Sequence, residues 1–131
     1  MDCIFCKIAS GKMPCYKVYE DENFLAFLDI RPLNIGHTLV IPKKHFRWVW
    51  DVTNIGEYYT VVGKIAQAMK KAFHTDLVVS LVVGEEVVHA HVWLVPRFSN
   101  DGHGKAINLE NIKEFSEREM QDAANKIKNE I

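Results

Sequence analysis

The chain has 131 residues, 48% of them hydrophobic, and a formal net charge of −1 with the two signs interspersed. That is enough apolar material for a single domain, residues 1–131, with one core, and it leaves no electrostatic footprint for nucleic acid or for an anionic membrane surface. No apolar run approaches the roughly 20 residues that cross a bilayer, Asp2, Lys7 and Lys12 interrupt the place where a secretory leader is apolar, and the three cysteines are an odd count, so a soluble cytoplasmic protein without a disulfide framework is expected.

The chain opens on Cys3-Ile4-Phe5-Cys6. A Cys-x-x-Cys pair is half of a tetrahedral zinc site, because both sulfurs reach one ion from a tight turn; it is also a redox motif, or a pair of ordinary thiols. The redox form follows a strand within a thioredoxin-like pattern, and no strand-forming stretch precedes Cys3. No second Cys-x-x-Cys lies downstream, so the other ligands of a zinc ion would be histidines or carboxylates, with His89 a candidate. Residues 15–20 alternate, Asp21-Glu22-Asn23 reads as a turn, and residues 24–28 complete a predicted hairpin. A loop punctuated by Pro32 and Gly36 leads to a third strand over residues 38–42, with Lys43, Lys44 and His45 at its end. Thr53 is the expected N-cap of a helix from about Asn54 to His74, in which Tyr58, Val61, Val62, Ile65, Met69 and Phe73 recur at helical spacing. Residues 77–83 are almost continuously apolar, as in a central strand covered on both faces, and Gly84-Glu85-Glu86 turns that strand into the next.

The stretch Val87 to Arg97 also reads as a strand, rich in β-branched residues and closed by Pro96. Val88, Ala90, Val92 and Leu94 then share a buried face, while His89, His91 and Trp93 share the other, each about 6.6 Å from the next. Burying an imidazole without a partner costs about 1 to 3 kcal/mol. Two in a row therefore call for a metal, a phosphate or a hydrogen-bond relay, with satisfied core histidines as the alternative. Asn100 to Asn108, with its glycines, reads as a flexible connection, His74 and His103 read as exposed, and Ser116 with Glu119 forms a capping box for a helix carrying Met120, Ala124, Ile127 and Ile131.

Taken together, Cys-Ile-Phe-Cys-Lys-Ile, Leu-Ala-Phe-Leu-Asp-Ile-x-Pro, Gly-His-Thr-Leu-Val-Ile-Pro-Lys-Lys-His and His-Ala-His-Val-x-Leu-Val-Pro-Arg resemble, in this order and over nearly the whole chain, the histidine triad (HIT) family. The resemblance implies an α+β fold with an antiparallel sheet of about five strands, a long helix packed on it and a C-terminal helix. It implies a homodimer and a hydrolase or nucleotidyl transferase acting on nucleoside phosphoramidates or dinucleoside polyphosphates, with a purine nucleotide or nucleotide conjugate as partner. His91 falls on the family's nucleophile, which becomes a covalent nucleotidyl-histidine. Cys3, Cys6, His45 and His89 fall on the ligands of a structural Zn2+. Phe5, Ile8, Phe27 and Ile30 match the base pocket and Asp29 the ribose acid; each apolar one could equally be plain core, and Asp29 a turn stabiliser.

Two departures accompany the match. The third motif histidine is Trp93, which would contact the phosphate or leaving group and can donate one hydrogen bond but neither accept one nor carry a proton. The segment before the motif is short and acidic, so phosphate charge would fall to backbone N–H groups, to Arg97 or to a lysine such as Lys43. His37 stands at the family's Gly-His position, with a strand cap as its alternative role. The helix around Tyr58, Tyr59, Val61, Val62 and Ile65 carries more apolar surface than one side of a small sheet requires and is the expected dimer face. The competing readings are a nucleotide-binding protein without turnover and a zinc-stapled interaction module.

Overall fold

Two stretches in which every residue is buried, Phe24–Leu28 and Thr38–Pro42, form the heart of the sheet in a computed structural model that describes residues 3–131. In chain order the elements are α1 (Ile4–Ala9), β1 (Lys17–Glu20), β2 (Phe24–Leu28), β3 (Thr38–Pro42), a short 3-10 turn (Val49–Asp51), α2 (Ile55–Phe73), β4 (Val78–Leu81), β5 (Val92–Pro96) and α3 (Glu117–Asn129). The strands form one five-stranded sheet ordered β1-β2-β3-β5-β4, with every neighbouring pair antiparallel.

Period-two alternation sends the central strands' side chains to two different cores. Phe24, Ala26, Leu28, Val40, Val92 and Leu94 pack with α2 and α3, whereas Leu25, Phe27, Leu39 and Ile41 pack with Cys3 and Phe5 of the N-terminal segment. Tyr58 ties α2 to β3: it stacks on Phe24 at 5.3 Å, and its hydroxyl donates to the Val40 carbonyl at 2.6 Å. The Ser116 capping box forms as its sequence implies, although the apolar stripe of α3 runs through Met120, Ala123, Ala124 and Ile127, and Ile131 is exposed.

Several expectations are corrected. Thr53 does not cap α2; the N-cap position is Asn54, without a side-chain cap bond. The apolar stretch after α2 forms an edge strand, β4, and not a central one, so Leu77 and Val83 are 51% and 41% exposed. A continuous apolar run does not distinguish coverage by its own chain from an open edge. The histidine strand begins only at Val92, because Pro42 has no N–H to extend the β3–β5 ladder; beyond it His89 and Ala90 bond to Pro42 and Phe46 by other routes. Val88 is consequently exposed. Tyr58, Val61, Val62 and Ile65 are buried against the chain's own helical core and Tyr59 is half-buried, so these side chains are not the surplus apolar surface that their spacing suggested.

Asn100 to Asn108 is not a free connection either. Arg97 and Asp101 form a buried pair, Nε to Oδ2 at 2.7 Å, and Arg97 also donates to the carbonyls of Gly104 and Ala106. Asp101 accepts from the Asn34 amide and from the Phe98 and His103 N–H groups, and Lys113 donates to Asn34 Oδ1 and to the Leu33 and Asp101 carbonyls. His103 is buried, with Nε2 donating to the Leu33 carbonyl at 2.6 Å and Nδ1 accepting from the Asn108 N–H.

The Arg97 guanidinium, followed by the backbone donors, holds the Asp101 carboxyl well below the usual carboxylate range. A carboxyl depressed in the folded state stabilises above its unfolded value of about 4, and this contribution is lost as the pH falls toward the folded value. Asp101→Asn is expected to cost about 1.5 to 3 kcal/mol at neutral pH, as for a lost charged hydrogen bond, with the gap to the parent closing on acidification below about pH 4. Denaturant titrations at pH 7 and pH 3 measure this; an unchanged gap would assign the loss to shape and not to charge.

Candidate active site and metal centre

Cys3 occupies the N-cap of α1, where its sulfur accepts from the Cys6 N–H at 3.2 Å. The expected tight turn is thus the first turn of a helix, and it aims both sulfurs at the loop after β3 and at the segment before β5. Cys3 Sγ lies 3.2 Å from His89 Nδ1, Cys6 Sγ lies 3.3 Å from His45 Nδ1 and 3.4 Å from His89 Nδ1, and the two Nδ1 atoms are 3.2 Å apart. A tetrahedron with Zn–N near 2.05 Å and Zn–S near 2.3 Å has edges of about 3.3 to 3.8 Å. All four ligand atoms lie within 4.8 Å of one another, so the donor set fits such an ion. His89 Nε2 donates to the Pro42 carbonyl at 2.8 Å, which leaves Nδ1 as the ligand atom and supplies the outer hydrogen bond typical of metal-binding histidines. Burial and the neighbouring Cys3 push the Cys6 thiol up to about 11, and a cation is what would favour its thiolate.

His91 lies two residues further on, buried, on the same side of the chain. Its Nδ1 donates to the His89 carbonyl at 2.7 Å, so Nε2 carries the lone pair. Burial lowers its affinity for a proton, against the opposing influence of the carbonyl and of Asp29, which favours the neutral imidazole that nucleophilic attack requires. The Phe5 ring stands edge-on to both imidazoles, 5.9 Å from His89 and 5.2 Å from His91, and at 5.6 Å from Phe27.

Phe5 and Phe27 are buried, Ile8 is half-buried, and Ile30 is 78% exposed beside Asp29. Asp29 accepts from the Arg31 N–H through Oδ1 at 2.8 Å, which is the turn-stabilising role, while burial raises its pKa. Its Oδ2 lies 3.7 Å from His37 Nε2. His37 accepts from the Leu33 N–H through Nδ1, so Nε2 bears the hydrogen, and among the described residues this buried donor has no hydrogen-bond partner. The Trp93 ring packs against His37 with centroids 5.0 Å apart. One region thus brings together Phe5, Phe27, Asp29, His37, His91 and Trp93, bordering the metal-ligand cluster.

The HIT domain profile matches residues 10–100, well over half of the chain. The chain belongs to the HIT family. It is 41% identical to an uncharacterized HIT-like protein of Borreliella burgdorferi over 95% of this chain and 98% of that one. It is 37% identical to the adenosine 5'-monophosphoramidase HNT1 of Saccharomyces cerevisiae over 72% of this chain and 62% of that one. A zinc-bound histidine triad family protein of Mycobacterium smegmatis has the same fold, with a TM-score of 0.75, 32% identity, and coverage of 99% and 93% of the two chains. The α+β architecture is that of these HIT structures.

Within this HIT domain neither expected phosphate cation is available. Arg97 is spent on Asp101 and two carbonyls, and Lys43 pairs with Glu20 at 2.7 Å. His37, read from the sequence as standing at the Gly-His position or as a strand cap, is instead held by the Leu33 N–H with its Nε2 beside Asp29, while Arg47, which no motif marked, stacks on Trp48 and donates to the Gly84 carbonyl. Gly36 has φ +86°, and a Cβ there would lie 2.4 Å from the Phe73 ring, so glycine is required to bring His37 under the sheet.

Burial, followed by the charges of His103 and His91, pushes the His37 imidazole down to about 3 from its ordinary 6.5. A histidine depressed on folding contributes stability above the unfolded value, and this is lost as the pH falls from about 6.5 toward about 3. In an NMR titration the His37 ring should therefore stay neutral through the mildly acid range. A midpoint at the ordinary value would mean that its Nε2–H is paired with ionised Asp29.

Proposed function

We propose that this chain is a zinc-stabilised nucleotidyl hydrolase or transferase that works through a covalent nucleotidyl-His91 intermediate. The observation that carries the reading is the His91 ring itself, a buried imidazole whose Nδ1 is tied to the His89 carbonyl so that Nε2 carries the lone pair for attack. Phe5, Ile8, Phe27 and Ile30 would hold a purine base, with Asp29 on the ribose hydroxyls. The phosphoramidase activity named for the yeast relative makes an adenosine phosphoramidate the first substrate to test.

In the first step Nε2 bonds to the α-phosphorus while the phosphorus–nitrogen bond to the leaving amine breaks, and the amine takes a proton from water. Water then attacks the same phosphorus and gives its proton to the hydroxide left when the amine was protonated, the phosphorus–Nε2 bond breaks with its electron pair returning to Nε2, and His91 returns to its neutral form as the nucleoside monophosphate departs. Trp93 offers its indole N–H as a hydrogen-bond donor but no titratable proton, so it orients and does not relay. That residue is also what favours the second reading, a nucleotide-binding HIT protein without significant turnover. Residence in the cytoplasm and pairing of two copies, with the open β4 edge as the available strand, complete the proposal.

Zinc would staple α1 to His45 and His89 and would have all four positions filled by protein, which leaves none to activate water. Native mass measurement should show one zinc per chain, and a strong chelator should lower the melting temperature. Protein that carries no metal and melts identically with and without chelator would make the Cys-x-x-Cys pair incidental.

Incubation with an adenosine phosphoramidate, followed by intact-mass measurement, should reveal an adenylyl adduct. His91→Ala should abolish it while AMP affinity stays within a few fold, because the pocket supplies ground-state binding. Trp93→His is expected to raise hydrolysis by about 10- to 100-fold, the usual scale for one acid-base group. Equal or lower activity with fold and zinc intact would show instead that Trp93 belongs to a site adapted to another leaving group.

A further inference from the structure

The segment after His45 runs alongside the histidine motif. The Ala90 N–H donates to the Phe46 carbonyl at 2.7 Å, so Arg47 leaves the backbone beside the residue that separates His89 from His91. Its side chain lies flat on the Trp48 ring, 3.5 Å from guanidinium carbon to centroid, and its NH1 donates to the Gly84 carbonyl at 2.7 Å. Trp48 in turn packs over Gly84, where an added Cβ would lie 3.4 Å from the ring. The residue therefore leaves the chain beside the motif and reaches with its guanidinium to Gly84, at the start of the turn that leads into the motif. Its one side-chain hydrogen bond among the described residues uses NH1, and the rest of the fork remains for an acceptor outside the chain.

We propose that Arg47, held in plane by Trp48 and by the Gly84 carbonyl, is the phosphate-binding cation of this site and contacts the non-bridging oxygens of the nucleotide attacked by His91. The proposal rests on the nucleotidyl-transfer reading and names the group that holds the phosphate within it. Arg97 and Lys43, the cations that the sequence offered, are paired as described, the Lys44 ammonium lies over the Phe46 ring, and Arg31 is on the ribose side next to Asp29. A planar fork already fixed by stacking gives up little side-chain freedom on binding an oxyanion, and it offsets the exposed Glu85 and Glu86 of the same turn.

The test compares AMP with adenosine, which differ only in the phosphate. The full chain, Arg47→Gln and Arg47→Lys are titrated with each by calorimetry at low and high salt, with zinc content and melting temperature recorded for all three. Arg47→Gln should weaken AMP binding by about 10- to 100-fold, as for one lost charged hydrogen-bond partner, and leave adenosine within about two-fold. Arg47→Lys should recover part of the AMP affinity at low salt and lose it at high salt, because an ammonium keeps the charge without the fork. Equal losses for AMP and adenosine would make Arg47 a structural prop for the turn and overturn the proposal, as would unchanged affinity for both. A parent chain that binds adenosine and AMP equally would overturn it without touching the base pocket, whereas a parent that binds neither would sink the nucleotide reading itself.

Discussion

A single backbone carbonyl, that of His89, links the candidate metal-ligand cluster to the His91 imidazole. The His89 ring is held between the Pro42 carbonyl and the two sulfurs, and its own carbonyl accepts the Nδ1–H of His91. Whatever moves the first ring therefore moves the group that selects the tautomer of the second. Phe5 strengthens the link from the other side, since one ring from α1 touches both imidazoles and Phe27. Its own position follows from Cys3 and Cys6, which flank it in the first turn of α1.

The sheet divides the labour. The face toward α2 and α3 is an ordinary apolar core closed by Tyr58, Ile65, Met69 and Ile127, all essentially without solvent exposure. The opposite face, among the described residues, is covered by α1 and by loops, and the candidate site residues belong to it, to α1 and its N-cap or to the loops at its rim, Asp29 and Ile30 after β2 and His45 after β3. A strand's period of two thus separates residues that stabilise from residues that meet a ligand, often at adjacent positions: Val92 and Leu94 point into the helical core, while Trp93 between them meets His37. The loop that carries Asp29 and His37 has little secondary structure of its own, and the buried network of Arg97, Asp101 and Lys113 holds it through Leu33 and Asn34.

Much of this was legible in the chain. The strands β2 and β3, the long helix, the α3 capping box and the grouping of Cys3, Cys6, His45 and His89 follow from local signals or from a motif whose spacing the fold respects. What was not legible depended on partners far apart in sequence. Whether the apolar stretch of β4 is central or at an edge is decided by where α2 returns the chain, and nothing within that stretch records it. His103 looks like a surface residue until Leu33, 70 residues away, supplies its acceptor. Arg47 carries no pattern at all; its place follows from the Ala90 to Phe46 hydrogen bond, which arises only because Pro42 ends the ladder early.

The same comparison locates where the fold tolerates a cost. Among the described residues, the buried side-chain donor without a partner is His37 Nε2, beside Asp29 and Trp93. Leaving one such group unmade costs about 1 to 3 kcal/mol, a sizeable share of a domain's net stability. An apolar side chain would avoid that loss, but it would also remove the Nδ1 acceptor of the Leu33 N–H, on which the turn around Asp29 depends. Trp93 adds to the constraint, because its indole covers the His37 ring without offering Nε2 an acceptor. The unsatisfied group thus lies where a ligand would be recognised and not in the helical core, the distribution expected when local stability is yielded to a binding site.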